Sequence, residues 1–242
     1  MRGKFRFGWQ AAILAVLWVS GCAANAPAPD FQALVASADR SEADRATDGR
    51  RKPADMLAFY GVRAGMTVFD VSAGAGYNAE LLARAVGGTG KVYAQTPTPN
   101  ERLRERMQSP VMKNVVAVVR GFSDPVPPEV RNLDLVTFNF NYHDTVYMDV
   151  DRASMNRSVL NGLKSGGIYI VADHSGRPGT GTSETKTLHR IDEAAVRREV
   201  EAAGFRFVSE GGFLRNPSDP RTAGVFKPTQ PNDEFVLKFV KP

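Results

Sequence analysis

The chain has 242 residues, 43% of them apolar, with 31 Lys/Arg against 26 Asp/Glu and a single cysteine. That is enough apolar material for one core and one domain of about two hundred residues, and one cysteine excludes a disulfide framework. Three of the basic residues, Arg2, Lys4 and Arg6, precede any acid, so from residue 22 onward the balance is 28 against 26, or +2, and no electrostatic case for nucleic acid exists.

Arg2, Lys4 and Arg6, then the apolar run Ala11–Val19 and a few small residues, have the form of an export signal, too short to span a bilayer comfortably. Val19-Ser20-Gly21-Cys22 resembles the bacterial lipobox, in which the cysteine becomes the acylated first residue of the mature chain. Residues 1–21 are therefore expected to be a lipoprotein signal peptide and Cys22 a lipid anchor. Ala23 stands where an aspartate would imply inner-membrane retention, which implies a periplasmic protein held at the outer membrane. Cleavage after Ala24-Asn25-Ala26 is the alternative and would release a soluble periplasmic protein. Residues 22–40 read as an Ala/Pro tether and a helix from Phe31 to Arg40, and residues 41–242 as one domain. Ser41–Lys52 is densely charged and reads as a solvated face, with a lid over a ligand as the other option; Pro53 suits the first turn of a helix that ends near Tyr60-Gly61.

The organising stretch is Thr67–Gln95. Thr67–Val71 is β-branched and aromatic, Ser72–Gly76 breaks it with residues that tolerate positive φ, and from Tyr77 the apolar period becomes helical through Ala79, Leu82, Ala83 and Val86 until Gly87-Gly88. Lys91–Gln95 is a second strand, which completes a βαβ unit whose ligand lies over the loop and the helix N-terminus. Gly74-Ala75-Gly76-Tyr77-Asn78-Ala79 also satisfies a dinucleotide fingerprint, but Asp70 beside the loop opposes a pyrophosphate, and Gln95 stands where a ribose-binding acid belongs.

Asp70-x-Ser72-x-Gly74-x-Gly76 resembles the first motif of class I S-adenosylmethionine-dependent methyltransferases, acid-x-Gly-x-Gly-x-Gly, with Ser72 for the first glycine and Gln95 for the acid that usually ends the second strand. The remaining elements resemble the same family: strands at Asn114–Arg120, Leu133–Phe138, Ile168–Ala172, Phe205–Ser209 and Asp233–Val240, and helices near Asn100–Gln108, Asp151–Leu163 and Ile191–Ala203. The resemblance implies an α/β, Rossmann-like seven-stranded methyltransferase sheet, mostly parallel with an antiparallel last strand and helices on both faces. It implies S-adenosylmethionine as cofactor and a small-molecule methyl acceptor. Asn141-Tyr142-His143-Asp144, Asp173-His174, Leu188–Asp192 and Leu214–Pro217 look like a bacterial group of exported methyltransferases.

Cofactor contacts are expected from Asp70, Ser72, Gly74, Gly76, Gln95 and Asn141, and catalytic work from Tyr142, His143, Asp144 and His174. All three histidines, His143, His174 and His189, follow elements that open on one edge of the sheet. In one reading His143, oriented by Asp144 or Asp173, is a base of near-neutral pKa that takes the acceptor's proton. In another the three imidazoles bind zinc in a hydrolase, but separations of 31 and 15 residues match no local metal pattern and no metal is expected. A cofactor-free binding lipoprotein on the same scaffold is the third reading.

Overall fold

The computed structural model describes residues 1, 28–226 and 228–242; Cys22 and, apart from Met1, the expected signal peptide lie outside them. The strands are β1 (Thr67–Val71), β2 (Lys91–Thr96), β3 (Val115–Val119), β4 (Leu133–Asn139), β5 (Leu163–His174), β6 (Arg206–Glu210) and β7 (Glu234–Val240). They form one sheet in the order β3-β2-β1-β4-β5-β7-β6. β1 to β5 run parallel, and β7 is antiparallel to both β5 and β6.

Alternate residues of the central strands feed two apolar layers. Val68, Leu135 and Ile170 meet α3 (Pro53–Tyr60) and α4 (Tyr77–Val86) on one face; Phe69, Val136, Phe138 and Val171 meet α7 (Arg152–Gly162) and α9 (Glu193–Ala202) on the other. β5 starts earlier than its apolar run, because Leu163 pairs with Leu133 before a bulge shifts the register to Leu135 and Ile168. No helix among the described residues is long and apolar enough to cross a membrane.

The N-terminal segment departs from its sequence reading. α1 (Phe31–Val35) stops short of Arg40, whose guanidinium instead turns back to cap the Val35 carbonyl at 2.8 Å and to pair with Asp48 at 2.6 Å. Asp48 lies in α2 (Glu42–Arg51), which has the solvated face that the sequence suggests and an inner side carrying Asp44 and Asp48. The Tyr77 hydroxyl, at the start of α4, donates to Asp48 at 2.6 Å. Arg106, at the end of α5 (Glu101–Arg106), donates to Asp44 at 2.9 Å and to Glu80 at 2.6 Å. These partners are distant in sequence, which is why a run of charges reads as solvated. They strap α2 across the helix that follows the glycine loop.

Arg106→Ala leaves Asp44 and Glu80 largely buried, with Glu80 keeping only Arg84. We expect a loss of about 1–3 kcal/mol in thermal or urea denaturation, and faster amide exchange concentrated in residues 42–51. Unchanged exchange there would show that other contacts hold α2.

Candidate functional site

The carboxyl ends of β1, β4 and β5 meet beneath α2, and a cavity of about 410 Å³ opens there, with Arg51, Phe140, Asn141, His143, Asp144 and His174 among its walls. A larger hollow of about 660 Å³ lies alongside, but its Arg215 is spent on Glu193, Glu210 and Asp233. The chemistry gathers in the first.

The glycine loop takes left-handed backbone at Ser72 (φ 57), Gly74 (φ 55) and Gly76 (φ 87). A Cβ on Gly76 would come within 2.9 Å of Leu103 and Arg106, whereas nothing lies within 4 Å of one on Gly74, where the backbone stays open. Ser72 holds a conformation that costs a non-glycine residue about 1–2 kcal/mol. It is fixed there because its N–H donates to Gln95 Oε1 at 2.8 Å and its hydroxyl donates to Asn141 Oδ1 at 3.1 Å. Gln95 is fully buried and its Nε2 donates to the Arg120 carbonyl at 2.6 Å. Both of its amide groups are thus committed, and the sequence expectation that Gln95 meets a ribose is corrected: Gln95 braces the loop. The two departures from the motif, Ser72 and Gln95, are partners in one hydrogen bond.

Asp70, one residue before the end of β1, is 2% exposed. Its Oδ1 accepts from Asn78 at 2.8 Å and from Thr137 at 2.8 Å, and its Oδ2 is buried with no partner. Burial pushes the carboxyl up to about 6, against the pull of those two hydrogen bonds. Asn139 Oδ1 and Arg51 Nε are likewise buried without partners. The Arg51 guanidinium sits 3.8 Å over the Phe140 ring, and burial, with Arg50 beside it, brings it down to about 10.

The three histidines do come together: the His143 ring centre is 5.7 Å from His174 and 5.4 Å from His189. His143 Nδ1 lies 2.7 Å from Asp173 Oδ1, its backbone N–H donates to Asp173 Oδ2 at 2.7 Å, and its Nε2 lies 3.0 Å from Asp144 Oδ1. Asp144 opens the one-turn helix α6 (Asp144–Tyr147) and also receives Asn141 Nδ2 at 2.6 Å and the Tyr147 hydroxyl. Burial by itself would lower His143; the Asp173 and Asp144 carboxylates overcome it and raise His143 to about 10. At neutral pH it therefore keeps its proton, so the expectation of a near-neutral base at His143 is corrected. Asp144, conversely, is held well below the usual carboxylate range: burial opposes this, and the hydrogen bonds from His143, Tyr147 and Asn141 prevail.

Two further expectations change. Phe140 has φ 58, which reverses the chain after β4 and sends Tyr142 into the layer under α7 and α9. There Tyr142 is fully buried, donates to Glu199 at 2.9 Å and accepts from Asn156 at 2.9 Å, with no access to the cavity. His174 lines the cavity, but its Nδ1 faces Glu234 Oε1 at 3.0 Å without hydrogen-bond alignment, and its ring packs on Phe140. Sequence reasoning missed Arg51, Asn78, Thr137 and Asn139. Asn139, which ends β4 at the same edge, and Asn78, in the first turn after the glycines, were open to it from position alone.

No protein-family model matches the chain. Over 112 residues it is 30% identical to the protein-L-isoaspartate O-methyltransferase of Ignicoccus hospitalis, a match covering 46% of this chain and 48% of that protein. The chain thus spans about half the length of the curated relative it matches. Its structure superposes on a SAM-dependent methyltransferase from Aquifex aeolicus with a TM-score of 0.61 and 21% identity, covering 81% of this chain and 93% of that one. The fold is that of the S-adenosylmethionine-dependent methyltransferases. A candidate methyltransferase complexed with a Haloferax volcanii methyltransferase activator gives 0.60 at 19% identity, with 88% and 98% covered. The [4+2]-cyclase SpnF gives 0.58 at 17%, with 86% and 85% covered. A cyclase among these neighbours means that the fold by itself does not carry the reaction.

Because the folded-state pKa of Asp70 lies above its ordinary value, Asp70 favours the fold at low pH, and this contribution is lost as pH rises from about 3.8 through about 6. Asp70→Asn is therefore expected to be more stable than wild type at pH 8 by about 1–3 kcal/mol, and to lose that advantage by pH 4. Thermal midpoints of both proteins across this range check it; parallel curves would contradict the buried charge.

Proposed function

We propose that this chain is an S-adenosylmethionine-dependent methyltransferase, exported and lipid-anchored in the periplasm through Cys22, that acts on a small molecule held in the cavity beside His143 and Asp144. The observation that carries the reading is the set of buried polar atoms without partners around the glycine loop: two acceptors, Asp70 Oδ2 and Asn139 Oδ1, and one donor, Arg51 Nε. That set complements an ammonium and a carboxylate, the groups at the amino-acid end of the cofactor. The methyltransferase names of the Ignicoccus and Aquifex proteins support the same reading.

When bound, the cofactor supplies an electrophilic methyl group. Asp70 and Asn139 would hold its ammonium, Arg51 its carboxylate, and Gly74 lets the backbone approach. Only about 30 Å³ is open beside Arg51, Tyr60, Asn78 and Asn139, too little for the cofactor, so binding requires the side chains around Arg51 to shift. On the acceptor side Asp144 takes His143 and Tyr147 on Oδ1 and Asn141 on Oδ2. Of about four lone-pair sites on a carboxylate one is left, which orients a hydroxyl or amine of the acceptor. Asn141 joins the two halves, bonded to Ser72 of the loop and to Asp144. A cofactor-free binding lipoprotein is the alternative that the commitment of Gln95 favours, since no carboxylate ends β2.

Calorimetric titration with S-adenosylhomocysteine should show binding at or below about 0.1 mM, abolished by Gly74→Val, whose side chain fills the open approach at a strain cost of about 1–2 kcal/mol. No heat from wild type at millimolar ligand sinks the enzyme reading and leaves the binding one. For the anchor, intact mass and detergent partitioning of Cys22→Ser should show loss of lipid and of membrane association; equal partitioning of both proteins would refute acylation.

A further inference from the structure

Among the described residues, His143 Nε2, Asp144 Oδ1 and His189 Nδ1 form a cluster of potential ligand atoms, and they come from α6, its cap and the end of α8 (Thr185–Leu188). Their separations are 3.0 Å between His143 and Asp144, 3.3 Å between His143 and His189, and 3.5 Å between His189 and Asp144. Ligands about 2.0–2.1 Å from a shared zinc ion stand about 3.4 Å apart at tetrahedral angles and about 3.0 Å apart at right angles. The triangle has the size of a coordination face.

Its chemistry also calls for a cation. His143 Nδ1 is directed at Asp173 Oδ1, the arrangement that fixes a metal-binding imidazole once an ion displaces the proton from its Nε2. That nitrogen then faces a carboxylate oxygen and a second imidazole nitrogen, and three electron-pair donors so close need positive charge between them. Without an ion, a proton on His143 Nε2 fills this place, directed at Asp144 and within 3.3 Å of His189; a bound metal would replace it. His189 adopts a left-handed backbone, φ 53, that brings its Nδ1 within 3.5 Å of both. Asn141 steadies the other oxygen of Asp144 at 2.6 Å, and the His189 ring rests against Phe226, 4.7 Å between centres. His174 is not part of this arrangement, because its Nδ1 faces Glu234.

We propose that His143, Asp144 and His189 bind a divalent transition-metal ion of the zinc type through Nε2, Oδ1 and Nδ1, with a further coordination position open to the cavity that His143 and Asp144 line. Two imidazoles and one carboxylate suit zinc and its neighbours, whereas calcium and magnesium prefer oxygen throughout. The open position takes an oxygen or nitrogen of whatever molecule occupies the cavity. This site differs from the three-histidine set that the sequence suggests, since a carboxylate adjacent in sequence replaces His174. It shares His143 and Asp144 with the acceptor side proposed above, the ion taking the place of the His143 proton on Asp144 Oδ1, and its test uses neither cofactor nor acceptor.

The full chain, without a polyhistidine tag and stripped with EDTA, is titrated with zinc chloride by calorimetry. Wild type should bind one ion per chain with a dissociation constant below about 1 μM, and His189→Ala and Asp144→Ala should weaken it by about 100-fold or more. Asp173→Asn, which leaves the three ligands in place and changes the partner of His143 Nδ1, should weaken it by about 10–100-fold, and His174→Gln should leave it unchanged. Circular dichroism of His189→Ala separates lost ligation from lost folding, the side chain being 26% exposed. Absence of binding tighter than about 0.1 mM in wild type, or binding that a folded His189→Ala retains in full, overturns the proposal.

Discussion

Asp70 and Asp173 stand one residue before the ends of β1 and β5 at 2% and 0% exposure, and an ionised carboxylate taken out of water costs several kcal/mol unless charge or hydrogen bonds replace the water. The fold answers this differently at the two strand ends. Asp173 is fully compensated: His143 engages both of its oxygens, and the His174 N–H adds a third bond at 2.8 Å. Asp70 is compensated on Oδ1 alone. A charge paired within the protein fixes structure, whereas a charge half paired at the edge of a parallel sheet is set up for a ligand. The difference separates a carboxylate that braces β5 from one at β1 with an oxygen left unpartnered.

Between these two points runs a line of hydrogen bonds. Gln95 holds Ser72, Ser72 holds Asn141, Asn141 holds Asp144, and Asp144 lies against His143, which lies on Asp173. The glycine loop and the histidine cluster are thereby held in one register, each on a rigid strand end. Above them, α2 is secured by the Asp44–Arg106 ion pair to α5 and by the hydrogen bond from the Tyr77 hydroxyl of α4 to Asp48, so the covering element is tied to the helix that the loop begins.

Much of the fold was legible in the sequence because its signals are local. The β-branched run at Thr67–Val71, the change of period at Tyr77 and the apolar Ile168–Ala172 each identify an element without reference to the rest. The convergence of His143, His174 and His189 followed from the ends of those elements. What was not legible depends on distant partners. Charges in α2 read as solvated until Arg106 and Tyr77 are seen against them. Tyr142 reads as a site residue until the reversal at Phe140 turns it to the other face. Gln95 reads as a ribose ligand until Ser72 and Arg120 claim its amide. The replacement of His174 by Asp144 beside His143 and His189 is a matter of a few ångströms that spacing along the chain does not encode.

The most direct test of the Asp70 site is the pH dependence of S-adenosylhomocysteine binding to wild type. If the unpartnered carboxylate of Asp70 holds the ligand's ammonium, affinity should climb as pH rises from about 5 to about 7, with a midpoint near the Asp70 value of about 6. Asp70→Asn should bind weakly with no such slope. Binding that is equally tight across this range, or a slope that Asp70→Asn retains, would contradict the role given to Asp70.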